Sequence, residues 1–203
     1  MRKLFNISNG ISKVPDAKVH NGAVLGLLIV GGGSALWLAP FLITDRGSGS
    51  VVVVDRRARW GLLLESLGIA MMLLGRFWTV DKPSWRSSVA IVFFLLAALL
   101  SWTATHALGR QLRFDAAIGT EHRLVHSGPY RIVRHPIYCS MLCLLWGIGF
   151  VAASPWLFVS ATVVFLAGTE IRVQIEDRLL ARRFGERFEQ FRRSTSAYVP
   201  MIR

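Results

Sequence analysis

IYCSMLCLLWGIGFVAASPWLFVSATVVFLAGTEI, residues 137–171, decides how this chain is built. One crossing of a bilayer takes about 20 apolar residues, so this block is too long for a single span. Ala153, Ser154 and Pro155 interrupt it. Pro155 can open a helix because its missing N–H lies where no intrahelical partner exists. The block therefore reads as two short helices in a tight hairpin.

Working outward, the same pattern recurs. Residues 22–44, 60–78 and 88–108 are apolar blocks of spanning length, with Glu65 as an exception in the second. The expectation is an all-α polytopic integral membrane protein with about five transmembrane helices. Composition agrees: 53% of the 203 residues are hydrophobic, 18% are charged, and mean hydropathy is +0.45. The net charge of +12 would suggest nucleic acid in a soluble protein. Here the basic residues sit mostly between and after the apolar blocks, which fits anionic headgroups, so no nucleic-acid partner is expected. Oligomeric state has no signature in the sequence.

Arg110, Arg113, Arg123, Arg131 and Arg134 fall in the 109–136 loop, and the tail after 171 is richer still in arginine. Basic loops stay cytoplasmic, so the loop and the C-terminus are placed there. Five spans then put Arg2, Lys3, Lys13 and Lys18 outside, against the same rule. The N-terminus has no clear cleavage site and is not read as a removable signal. Residues 1–108 read as three N-terminal spans. Residues 109–203 read as a polar loop, a helical hairpin and a C-terminal amphipathic helix.

That last helix is placed over 172–193, where Leu180, Phe184, Phe188 and Phe191 recur at helical spacing among arginines. It suits a membrane surface or packing on the protein's own loops. Gly185 weakens or splits it. Glu65 is a functional candidate because a carboxyl inside a span is costly, yet it can also pair with Arg57 or Arg59 near the membrane edge. Cys139 and Cys143 share a helix face and read as small buried side chains. His122, His126 and His135 lie close in sequence, but a Gly-Pro turn separates the last from the others and no metal motif is present. No metal is expected.

Polar residues concentrate in the loop and at the start of the C-terminal helix, at the two ends of one hairpin. Gly128-Pro129 makes a turn. Pro136 keeps His135 out of the helical region and starts the fourth span, which puts His135 at a helix N-terminus that attracts anions. Tyr130 and Tyr138 add flat faces with hydroxyls. This set suits a zwitterionic ligand with an aromatic ring, and it equally suits an interfacial belt. Arg172 and Glu176 share a helix face and either pair with each other or grip a ligand.

HRLVHSGPYRIVRHPIY (122–138), a short hairpin, then RVQIEDRLLARRFGERFEQF (172–191) together resemble the isoprenylcysteine carboxyl methyltransferase family. That family sits in a wider group of membrane methyltransferases that includes phospholipid N-methyltransferases. The resemblance covers roughly the last 100 residues. It implies S-adenosylmethionine bound between the loop and the C-terminal helix. Carried over by position, His122, Arg123, Leu124, Val125, Tyr130, His135, Pro136, Ile137, Tyr138 and Glu176 would hold the cofactor. Arg172 would be the catalytic residue facing the substrate carboxylate. Eukaryotic members have glutamine where this chain has Asp115, and a second glutamate where it has Asp177. The expected reaction is carboxyl O-methylation of an isoprenylcysteine-like or other lipophilic substrate. The alternatives are N-methylation of a phospholipid, or a reductase relative or scaffold of the same fold without methyl transfer.

Overall fold

The computed structural model describes residues 17–44, 51–75, 84–112, 117–119 and 124–198. Helices carry the fold: α1 (Ala17–Ile43), α2 (Ala58–Leu73), α3 (Ser84–Leu108), α4 (Pro136–Ala152), α5 (Pro155–Phe184) and α6 (Glu186–Ser194). The helical class follows the sequence reading. A short antiparallel pair of strands, β1 (Val51–Val54) and β2 (Ala117–Gly119), is an addition to it.

Among the described residues, three helices are long and apolar enough to cross a membrane: the Gly22–Ile43 part of α1, α3 with its short extension to Gln111, and α5. At about 1.5 Å per residue, α2 and α4 rise only about 24–26 Å, short of a hydrocarbon core of about 30 Å. Two of the five expected spans thus fall below the usual length. Residues 76–78, assigned to the second span, lie outside the described residues, as does the basic segment 1–16.

The hairpin forms where expected. Ala153 and Ser154 are extended, and Pro155 starts α5. No break follows at 171, however. α5 continues for 30 residues, a rise of about 45 Å, so its C-terminal third projects beyond any span. It ends at Gly185, whose φ of +54° glycine adopts without a Cβ penalty. The expected helix over 172–193 is therefore the end of α5 plus a separate α6. Phe188 and Phe191 are buried against the protein itself, so the apolar face of α6 is not presented to a membrane.

α2 packs mainly on α5, α3 on α4, and α1 on α3. The core is apolar, around Phe94, Leu145, Ile148, Met72 and Phe165. Exposed Leu28, Leu42, Leu62 and Leu99 line the outside of the helices, as lipid contact requires. At the hairpin end, Arg86 donates to the carbonyls of Gly149, Phe150 and Ala153, closing the C-terminus of α4. The polar loop, the start of α4 and the late turns of α5 meet at the other end.

Candidate active site

The site begins with a turn. Gly128, at φ +59°, opens the 3-10 turn Gly128–Arg131, which buries Tyr130. Five residues after the turn's last residue, Pro136 starts α4 and leaves His135 as its N-cap at φ −125°, ψ 63°. This much was expected. What was not expected is the chain's own C-terminal segment alongside. Val133 pairs with Ser196, and the N–H groups of Arg134 and His135 donate to Ser196 O (2.8 Å) and Ala197 O (2.9 Å). The N–H groups of Tyr138 and Cys139 turn back to His135 O. The donors expected to attract an anion at this helix start are thus largely engaged by backbone.

Side chains converge from α4 and α5. His135 Nε2 lies 2.9 Å from Asp177 Oδ1, and its Nδ1 lies 3.4 Å from Glu176 Oε2. Tyr138 donates its hydroxyl to Glu176 Oε1. Arg134 Nη2 binds Asp177 Oδ2 at 3.0 Å, and its Nη1 donates to the carbonyls of Arg192 and Thr195. Asp177 thereby fixes His135 and ties it to the C-terminal segment. Glu176, with a quarter of its side chain exposed, is the carboxylate that reaches solvent.

Burial alone would lower the pKa of His135. Its hydrogen bonds to Asp177 and Glu176, and their charges, outweigh that and hold it up at about 9. Near neutrality both ring nitrogens therefore carry protons, one for each carboxylate. Burial, then the charge of Glu176, pushes the Tyr130 hydroxyl well above its ordinary value, so it stays neutral.

Arg172, one turn before Glu176, is nearly buried. Its Nη2 is 3.9 Å from Glu176 Oε1, and its Cζ lies 5.2 Å from the centroid of the Tyr138 ring. Its closer ion-pair partner is Glu65 of α2, at 3.2 Å from Nη1. The expected pairing of Glu65 with Arg57 or Arg59 is replaced by this contact, because the carboxyl lies on the buried face of α2 toward α5.

Of the remaining candidates, Pro136 is buried at the first position of α4, and Ile137 is half-buried beside it. Leu124 and Val125 are half-buried in the loop. Leu124 and His126 line an open cleft of about 680 Å³ together with Phe184, Arg187 and Phe191. That volume is in the range of small-molecule sites. Glu176 precedes Phe184 on the same helix by a rise of about 12 Å. His122, Arg123 and Asp115 lie outside the described residues. Among the described residues, no three His, Cys, Asp or Glu side chains are arranged to hold a metal ion.

Comparison with known proteins matches this region to one family. The model of the phospholipid methyltransferase family fits residues 85–187, just over half of the chain. The chain belongs to the phospholipid methyltransferase family. The part that matches this family holds α3, the turn, α4 and all of α5, and so Tyr130, His135, Tyr138, Arg172, Glu176 and Asp177. Glu65 lies outside it. The chain is 27% identical to Protein-S-isoprenylcysteine O-methyltransferase A of Arabidopsis thaliana over 187 residues, 90% of this chain and 88% of the relative. It is 27% identical to Methanethiol S-methyltransferase 2 of Bradyrhizobium diazoefficiens over 159 residues, 70% of this chain and 58% of that relative's length. It is also 30% identical over 125 residues to the Cobalt-zinc-cadmium resistance protein CzcN of Cupriavidus metallidurans, covering 59% and 53% of the two chains.

Sequence reasoning missed three contacts, each with one partner outside the matched segment: Glu65 with Arg172, Arg134 with the C-terminal carbonyls, and the pairing of residues 196–197 with 134–135. A signal for the first was present. A carboxyl within an apolar helix requires a cation, and Arg172 follows directly on another apolar block.

Proposed function

We propose that the chain is an S-adenosylmethionine-dependent membrane methyltransferase that transfers a methyl group to the carboxylate of an isoprenylcysteine-like or other lipophilic acceptor. The supporting observation is that Tyr138, Arg172 and Glu176, distant in sequence across the hairpin, meet with His135 in one network. The helices long enough to span and the basic 109–136 loop support a multi-pass protein with this site on the cytoplasmic side.

The residues fit the cofactor's chemistry. S-adenosylmethionine carries a methyl group on a sulfonium that needs no further activation, along with an ammonium, a carboxylate and a ribose. Glu176, partly exposed and held by Tyr138 and His135, offers a carboxylate to the cationic or hydroxyl parts. Leu124, Val125, Tyr130, His135, Pro136, Ile137 and Tyr138 would surround the rest, with His122 and Arg123 before them. Arg172 would hold an acceptor carboxylate. An ionised carboxylate needs no base, so positioning and exclusion of water supply the catalysis. An ionised thiol would be served in the same way, consistent with the name of the Bradyrhizobium relative.

The name of the family keeps a second reading, N-methylation of a phospholipid amine. Protein in detergent is expected to bind S-adenosylhomocysteine and to lose that binding with Glu176→Ala or His135→Ala. Undiminished binding in both variants would reject the site. Labelled methyl donor with farnesylcysteine analogues and membrane lipid separates the acceptors. Base-labile label marks an ester, and stable label an N-methyl product.

A further inference from the structure

The network around Arg172 extends beyond the segment that the family covers. Glu65 is fully buried on α2. Its Oε2 is 3.2 Å from Arg172 Nη1, and its Oε1 accepts from Thr169 Oγ1 at 3.2 Å. Glycines set this register by letting two helix backbones approach. A Cβ at Gly61 would stand 2.5 Å from Arg172 Cγ and 2.6 Å from Gly168 O, and one at Gly168 would stand 2.9 Å from Glu65 N. The same α2 face carries Gly61, Glu65, Gly68 and Met72, all buried.

As a stabilising device alone, a buried ion pair is a poor choice, since apolar residues of similar volume do as well or better. What it does supply is orientation. The guanidinium is a flat fork, and its usefulness to a carboxylate depends on which edge it presents. Glu65 ties one edge, and the Tyr138 ring lies against the plane. Without Glu65, the nearest carboxylate to Arg172 is Glu176, one turn along the same helix at 3.9 Å. That longer contact, already present from Nη2, would then be the ion pair left to orient Arg172 among the described residues.

We infer that Glu65 is a positioning residue for the methyl acceptor: from α2 it anchors Nη1 of Arg172 and so fixes the orientation in which the guanidinium would meet an acidic headgroup. The acceptor part of this inference rests on the proposed function, whereas the ordering of Arg172 does not. The acceptor site then draws on both sides of residue 108.

The test has two arms on the full chain in detergent. In the first, arginine side-chain NMR follows the Arg172 guanidinium signals, assigned through Arg172→Lys. They should be sharp in the wild type and broadened or shifted in Glu65→Gln, with a smaller change in Thr169→Val. Unchanged signals in Glu65→Gln overturn the inference. In the second, methyl transfer to N-acetyl-S-farnesylcysteine is measured. Glu65→Gln should raise the acceptor KM by about tenfold to a hundredfold, with kcat changed less. Glu65→Gln combined with Arg172→Gln should be no worse than Arg172→Gln alone. Additive losses, or an unchanged KM, overturn the acceptor role. Thr169→Val, which removes only the outer hydroxyl, keeps the test open should Glu65→Gln fold poorly. Calorimetry with S-adenosylhomocysteine on the wild type judges the methyltransferase reading separately. Arg172 signals that respond to Glu65 in a protein that binds no such ligand would sink that reading and leave the positioning intact.

Discussion

Replacing His135 with glutamine tests the charge state of the site through stability. His135 has an ordinary pKa near 6.5 when unfolded and about 9 in the fold. A group whose pKa is raised on folding contributes stability fully below its unfolded value and loses it as pH climbs through the folded one. The difference, about 2.5 units at roughly 1.4 kcal/mol each, is on the order of 3 kcal/mol. This contribution is present below about pH 6.5 and gone above about pH 9. The burial of His135, at 6% exposure, means solvent does little to screen it. Thermal unfolding in detergent from about pH 6 to 9.5 should show a wild-type midpoint that falls by roughly 6–12 °C more than that of His135→Gln. Parallel curves for wild type and His135→Gln would refute the paired, protonated imidazole.

Gly168→Ala puts a methyl group into the α2 and α5 contact, where Gly61 O and Glu65 N stand in the way. It should cost about 1–3 kcal/mol in unfolding and shift the Arg172 signals as Glu65→Gln does. Arg134→Gln removes one of the two partners of Asp177 and the Nη1 bonds to two C-terminal carbonyls. A loss of about 3–5 kcal/mol is expected, with faster hydrogen exchange at the amides of residues 134 and 135. Arg86→Met strips three carbonyl bonds at the far end of α4. It should lower stability by about 1–3 kcal/mol while S-adenosylhomocysteine affinity stays at the wild-type value.

The legible parts of this molecule are those fixed by local backbone chemistry. Pro136 and Pro155 start helices, Gly185 ends one, and Gly128-Pro129 turns, each within a few residues of the signal. Apolar periods located the helices, but length alone did not tell that α5 runs unbroken past residue 171, because its change from apolar to basic marks exposure rather than a break. The His135, Tyr138 and Glu176 group was legible because the hairpin returns both polar segments to one end. The need of Glu65 for a cation was legible, but the choice of Arg172 was not, since it depends on how closely two helices approach, and glycines 107 residues apart decide that (Gly61 and Gly168). The short C-terminal segment beside residues 133–135 had no period to show.

The acceptor is constrained by where protons can go. An amine must lose a proton to be methylated, so a site for that chemistry needs a base with room for one. Here the imidazole already carries both its protons near neutrality and gives them to Asp177 and Glu176. Glu176 also receives the Tyr138 hydroxyl, and Asp177 holds Arg134. Each of these carboxylates already accepts hydrogen bonds, so taking up a proton would cost it part of that network. A carboxylate or thiolate acceptor asks for no base and instead needs a cation, and Arg172 is held in place by a carboxylate from another helix. Under the proposed function, an anionic acceptor needs no such proton uptake and would have Arg172 as its cationic partner.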